Sequence, residues 1–387
     1  MRIENRRFDL HVPTSGDWLT AIVPRLMGAL GTSEYPLRFC VAKAAGEELA
    51  VEAAVVSYEP YELYAGAFDD VEILTPRRKQ RPTDRFGVVQ VVPTGIRCDY
   101  GGYAGDSAPA TNLLAAAADF VVAHPNAVNA SDLNEMAPDI LYVEGKALDD
   151  FCLGHLGLQR VPSNRVGTVV DPTGEEHLYE VLNLLDAARA SAGIDCARHR
   201  LLDASLGVRV GFTPSGSATG TLDHPEILLR GVAELIEAGA DAVGGVSVIL
   251  GVENAMFEAY LDGQRPNPSG AVEAIITHLI TKIFRVPSAH APLPYYQDAR
   301  EGMSRNPRAA AEFISRPHYF CVLKGLHRAP RLVTINGLEA PPAGVITLND
   351  IGAVVAPATA LGGIPCSRPR IAGFPSSPCA RTTRSSM

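Results

Sequence analysis

From residue 86 onward the chain alternates short apolar, β-branched runs with amphipathic helical stretches. This alternation constrains the fold more than any other feature. Residues 86–92, 120–123, 140–143, 166–170, 206–212, 242–250, 319–323, 332–335 and 351–355 read as strands. Residues 109–119, 177–192, 225–238 and 252–261 read as helices. A further long helix starts at Pro268 or Ser269, with Ala271, Ile275, Ile276, Leu279 and Ile283 on its apolar stripe. Alternation of this kind predicts an α/β fold: a mainly parallel sheet with helices on both faces. Before it, residues 7–12, 37–43 and 49–57 read as strands and 17–30 as a helix flawed by Pro24, with Gly46 placed for a hairpin turn. The expected organisation is a small α+β N-terminal unit over 1–85, an α/β catalytic domain over 86–365 and a disordered Arg/Ser/Pro tail over 366–387. The basic run Pro76-Arg-Arg-Lys-Gln-Arg-Pro82 reads as a solvated linker.

With 387 residues, 47% of them hydrophobic, the chain is long enough to bury a sizeable core. A net charge of −9 leaves no cationic footprint, which excludes nucleic acid as the expected partner. The longest apolar runs are too short to span a bilayer, and Met1-Arg-Ile-Glu-Asn5 is not followed by a signal-peptide core. A cytoplasmic protein without membrane contact is therefore expected. The seven cysteines are scattered and show no CxxC spacing, so reduced thiols are expected rather than disulfides or zinc. No metal or cofactor is expected, and a homodimer is the default for an acidic, Ala-rich α/β chain. Of the 34 basic residues 29 are Arg, which suggests a GC-rich genome such as an actinomycete's.

Chemistry gathers in loops that leave strands. The densest runs from Pro93 to Pro109, where Thr94, Gly101, Gly102 and Tyr103 are candidate substrate contacts and Asp106 is a candidate acid, base or helix cap. Its spacing matches neither a dinucleotide fingerprint nor a Walker A loop. His124, Asn126 and Asn129 follow the next strand, pointing toward the same crevice. Glu144, at another strand end, suits a proton acceptor or an ammonium anchor, or else pairs with Lys146 or Arg97. The loop from Phe212 to Thr221 offers Ser215, Ser217 and Thr219 as an anion cradle. His290 lies in an expected rigid turn between prolines, as a general acid, base or anion donor. A third loop, 356–365, adds Thr359, Gly362 and Gly363. Ser215 lacks the GxSxG elbow, and Cys98 has no base fixed beside it in sequence.

These loops resemble a bacterial family without assigned function, the domain-of-unknown-function 3326 family. The segments that carry the resemblance are Val92-Pro-Thr-Gly-Ile96, Gly101-Gly-Tyr-Ala-Gly-Asp106, His124-Pro-Asn126 with Asn129, Tyr142-Val-Glu-Gly145, Ser288-Ala-His-Ala-Pro292, Gly325-Leu-His-Arg-Ala-Pro330 and Ala356-Pro-Ala-Thr-Ala-Leu-Gly-Gly-Ile-Pro365. The family continues past Gly-Gly-Ile-Pro in an apolar segment, where this chain turns to its Arg/Ser/Pro tail. The chain is also similar to aziridine-forming enzymes of the azinomycin type, a likeness that no single motif carries. That second resemblance implies antibiotic biosynthesis and ring closure of a diamino acid, in which an amine displaces an adjacent sulfate ester.

Such a step calls for an anion cradle, a proton acceptor and a folded substrate pose. The expectation is a cofactor-independent cyclase or lyase acting on a small anionic or zwitterionic metabolite. Glu144 or Asp106 would handle the amine, Ser215, Ser217 and Thr219 the sulfate, and His124 and His290 the orientation. Elimination or hydrolysis would use the same parts, and a non-catalytic metabolite-binding subunit is the alternative from another class.

Overall fold

A computed structural model describes residues 1–13, 18–69, 83–93, 95–96, 103, 107–125, 136–172, 175–293, 318–358 and 360–366. The basic run 76–82, the tail beyond 366, and the candidate residues Thr94, Gly101, Gly102, Asp106, Asn126, Asn129 and Thr359 lie outside the described residues.

In chain order the elements are β1 (Arg2–His11), α1 (Trp18–Gly28), β2 (Glu34–Ala45), β3 (Glu48–Ser57), β4 (Gly87–Gln90), α2 (Ala108–Ala117), β5 (Phe120–Ala123) and β6 (Ile140–Tyr142). Next come α3 (Gly145–Leu153), β7 (Leu156–Gln159), β8 (Val166–Val170), α4 (Glu175–Ala192), β9 (Arg198–Leu201), β10 (Val208–Phe212) and β11 (Ala218–Leu222). The chain continues through α5 (Pro225–Glu237), β12 (Ala242–Ser247), β13 (Ile249–Leu250), α6 (Asn254–Leu261), α7 (Gly270–Phe284) and β14 (Ser288–Pro292). It ends in α8 (His318–His327), β15 (Arg331–Thr334) and β16 (Ile351–Val355).

The fold is α/β, preceded by an N-terminal antiparallel unit ordered β1-β3-β2. The parallel character is divided between two four-stranded sheets, β16-β4-β5-β6 and β14-β12-β8-β9. Residues of β4, β5, β8 and β12 are buried throughout, as strands covered on both faces must be. Consecutive glycines in β12 show how tightly the layers close. A Cβ on Gly244 would strike the Tyr319 hydroxyl of α8, whereas one on Gly245 would meet the His290 ring of β14 at 3.0 Å. Successive strand residues face opposite sides of the sheet, so Gly244 makes room for α8 on one face and Gly245 for the ring of its cross-strand partner on the other.

The N-terminal sheet shares its core with the body of the protein. One buried cluster runs from Ile3, Val51 and Val55 to Val243, Ile275 and Leu279. Helix α7 is the hub, packing on β11, β14, β2 and α3. Twelve of its residues are buried, including the polar Thr277, His278, Thr281 and Lys282. An apolar stripe explains the helix; the buried polar set requires partners.

Three local expectations are corrected. Residues 319–323 are helical, within α8, because Tyr319, Val322, Leu323 and Leu326 form one buried face at helical spacing. A short apolar run does not distinguish a buried strand from a buried helix. His290 sits in β14, parallel to β12, rather than in a turn. That strand is at the sheet edge, where Pro292 is tolerated. The 212–221 segment is a β10–β11 hairpin turning at Gly216, so Thr219 lies in a strand.

Candidate functional site

Strands β5 and β6 both end under α7. His124 immediately follows β5, and Glu144 follows β6 as the N-cap of α3. The Glu144 carboxylate is 3% exposed. Its Oε2 accepts the backbone N–H groups of Lys146 at 2.8 Å and Ala147 at 3.2 Å. Its Oε1 accepts the Thr277 hydroxyl at 3.0 Å and lies 2.5 Å from His278 Nδ1, in contact but out of line for a straight hydrogen bond. Lys146 contributes only its backbone here, because its ammonium pairs with Asp150.

These contacts decide protonation. Burial pushes Glu144 up, yet the His278 charge and the N–H donors outweigh it and hold the carboxyl at about 2. Burial pushes His124 down to about 4 against the pull of Glu144, with His278 and Arg38 adding to the fall. Glu144 is therefore a fixed anion and His124 a neutral imidazole at pH 7. His124 lies deep but keeps part of its surface accessible. Asp149, one helical turn beyond Gly145, is half-buried; burial and the Asp150 and Glu144 charges push it up to about 7 against Lys146 and His278.

Gly145 explains how two imidazoles converge. A Cβ there would meet His278 Cε1 at 2.7 Å, His278 Nε2 at 3.3 Å and His124 Nε2 at 3.5 Å. Gly145→Ala should destabilise the protein by about 1–3 kcal/mol, although alanine favours the helix intrinsically. Thermal melts test this: an unchanged or raised midpoint would contradict the close packing.

A second acid–imidazole pair lies on the same helix. Glu273, in the first turn of α7, approaches His290 Nδ1 at 3.3 Å, and His290 Nε2 contacts the Ser247 hydroxyl at 2.8 Å. Glu273 and Thr277 are four residues apart and share a helix face, so the two pairs are neighbours. Ser247 is wholly buried, which suits it to fix the ring and not to attack a substrate. Asp171, at the end of β8, accepts the backbone N–H groups of Leu206 and Val248 nearby.

The other expected contacts have structural employment. The Tyr103 hydroxyl lies 3.1 Å from the carbonyls of Tyr260 and Leu261, as a donor at the end of α6. Ser215 donates through N and Oγ to Glu52 at 3.0 and 2.7 Å, with Ser217 Oγ 3.1 Å from Ser215 Oγ. A carboxylate already occupies that hairpin, and this disfavours an anion cradle there. Thr219 donates to Asn5 of β1. Gly362 lies so close to Val41 of β2 that a Cβ would strike its carbonyl. Ser107 stands at the N-cap of α2 without a side-chain capping bond.

The sequence reading missed His278, Thr277, Glu273, Ser247, Asp149 and Arg38. The available signal was the polar set interrupting the apolar α7 sequence. Among the described residues no group of three or more His, Cys, Asp or Glu is arranged to hold a metal ion. A cavity lined by Arg85, Asp119, Phe120, Arg160, Gly344 and Ile346 opens at the opposite end of the β5 strand.

Comparison with known proteins gives a family. The family described as "Protein of unknown function (DUF3326)" matches residues 87–368. An uncharacterized lipoprotein of Synechococcus is 39% identical over 279 residues, covering 71% of this chain and 76% of the relative. No solved structure matches. The relative's name overturns the expectation of a cytoplasmic location, because a lipoprotein is membrane-anchored. Among the described residues no helix is long and apolar enough to cross a membrane.

Proposed function

The chain belongs to the DUF3326 family, and from its site we propose a cofactor-independent enzyme that moves a proton on a small anionic or zwitterionic metabolite. The observation that carries this reading is two acid–imidazole couples with one member each on α7, Glu144–His278 and Glu273–His290, beside the accessible edge of neutral His124. His124 accepts the proton. Glu144 already holds four protein groups, so it anchors the arrangement and does not act as the base. The sharpest form is internal displacement: an amine nitrogen bonds to the adjacent carbon, the sulfate leaves with the C–O electron pair, and the N–H proton passes to His124. Elimination would use the same acceptor. By likeness to the Synechococcus relative, the place of action is a membrane surface.

The test is mass spectrometry of the protein incubated with a sulfate-activated amino-alcohol amino acid. Loss of sulfate without gain of water is expected, and His124→Gln should slow it by about 10²-fold. Because only neutral His124 accepts a proton, the rate should fall as pH drops through about 4. Full turnover in His124→Gln would sink the assignment. Tight binding without turnover on any substrate would favour a binding subunit, a reading supported by how completely Glu144 is satisfied within the protein.

A further inference from the structure

The proposed chemistry leaves one demand unmet. A negatively charged substrate needs a cation, and the serine-rich hairpin cannot supply one because Glu52 fills it. Three cations near α7 are engaged within the protein. Lys146 and Arg285 both pair with Asp150, and Lys282 stacks 4.5 Å from the Tyr35 ring.

Arg38 is different. It projects from β2 of the N-terminal sheet, is half-buried, and places Nη1 3.3 Å from the carbonyl of Ala271 in the first turn of α7. No carboxylate among the described residues pairs with it. The Gly95 backbone reaches the same place, since a Cβ there would meet the Ala271 Cβ at 2.8 Å. Arg38 also lies near enough to His124 for its charge to oppose protonation of the ring. The acids around it are engaged with other groups: Glu144 with His278, Glu273 with His290, and Glu52 of the neighbouring strand with Ser215.

We infer that Arg38 is the substrate's anion receptor: its guanidinium binds a sulfate, phosphate or carboxylate group of a small molecule beside His124. A planar guanidinium presents paired donors to an oxyanion, and the start of the 15-residue α7 adds a favourable dipole. This inference rests on the site assignment of the proposed enzyme. It gives the N-terminal sheet a role in recognition, for β2 precedes the family match that begins at residue 87.

The experiment is calorimetric titration of the full chain with inorganic sulfate, inorganic phosphate and acetate, using wild type, Arg38→Met and Arg38→Lys. Methionine keeps the stem and removes the charge; lysine keeps the charge and removes the planar fork. Wild type should bind at least one of the three ions, and Arg38→Met should weaken that binding about tenfold or more. Arg38→Lys should recover part of the loss while the melting temperatures of all three proteins agree. The strongest of the three ions identifies the substrate's anionic group. Binding to none of them, or equal binding by Arg38→Met, overturns the inference. Turnover is not needed for this measurement. Arg38-dependent binding with full turnover in His124→Gln would remove only the catalytic reading, whereas the converse would remove only Arg38.

Discussion

Replacing Glu144 with alanine should destabilise the protein by about 3–5 kcal/mol, because several buried donors lose one shared anionic acceptor at once. The carboxylate is almost wholly buried, satisfies two helix N–H groups and the Thr277 hydroxyl, and lies against His278. Alanine would orphan all of them. The effect is pH-dependent. The folded carboxyl is held at about 2, below its ordinary 4.5, so its stabilisation is complete above about 4.5 and is lost as pH falls toward 2. Urea unfolding at pH 7 and through pH 5 to 3 should show the variant losing part of the wild-type acid slope. A loss under about 1 kcal/mol at pH 7 would contradict the pairing. Under the proposed function turnover should fall as well, because His278 and the neighbouring His124 lose their fixed anion.

Asp150→Asn should have an effect of similar size for a different reason. Asp150 is completely buried; it accepts the Lys146 ammonium and Arg285 Nη1, the latter at 2.7 Å, and Lys282 also acts on it. Removing the one acid leaves Lys146, 2% exposed, without its counter-charge. The expected cost is about 3–5 kcal/mol in denaturant unfolding. The double variant Asp150→Asn, Lys146→Met should recover much of it, since removing both charges avoids the uncompensated ion. Failure of the second change to recover stability would show that Asp150 acts chiefly through Arg285. The network joins α3 to the end of α7, so it supports the site by holding those two helices in register.

Much of the architecture was legible in the chain. Residues 120–123, 166–170 and 351–355 form strands over the spans read from their apolar pattern; the first two are fully buried parallel strands, which are short, continuous and β-branched. His124 and Glu144, both singled out after strand ends, lie close together in the structure. Helix α3 was missed, although Glu144 caps its start and Gly154, at φ 84°, closes its end. Glu144 reads in sequence as a proton acceptor, an ammonium anchor or a salt-bridge partner, and none of these readings considers a helix cap.

Local pattern therefore determined the α/β class, the positions of several strands and the placement of His124 and Glu144 at strand ends. Tertiary structure decided which polar groups meet. His278 and Glu144 are 134 residues apart and touch only because α7 crosses the ends of β5 and β6. Glu273, Ser247 and His290 come from a helix and two parallel strands, and no spacing rule joins them. The same packing assigned Ser215 to Glu52 and Arg38 to the start of α7. Periodicity records which face of an element is buried; partner choice among buried polar groups depends on how separate elements pack, which local periodicity does not encode.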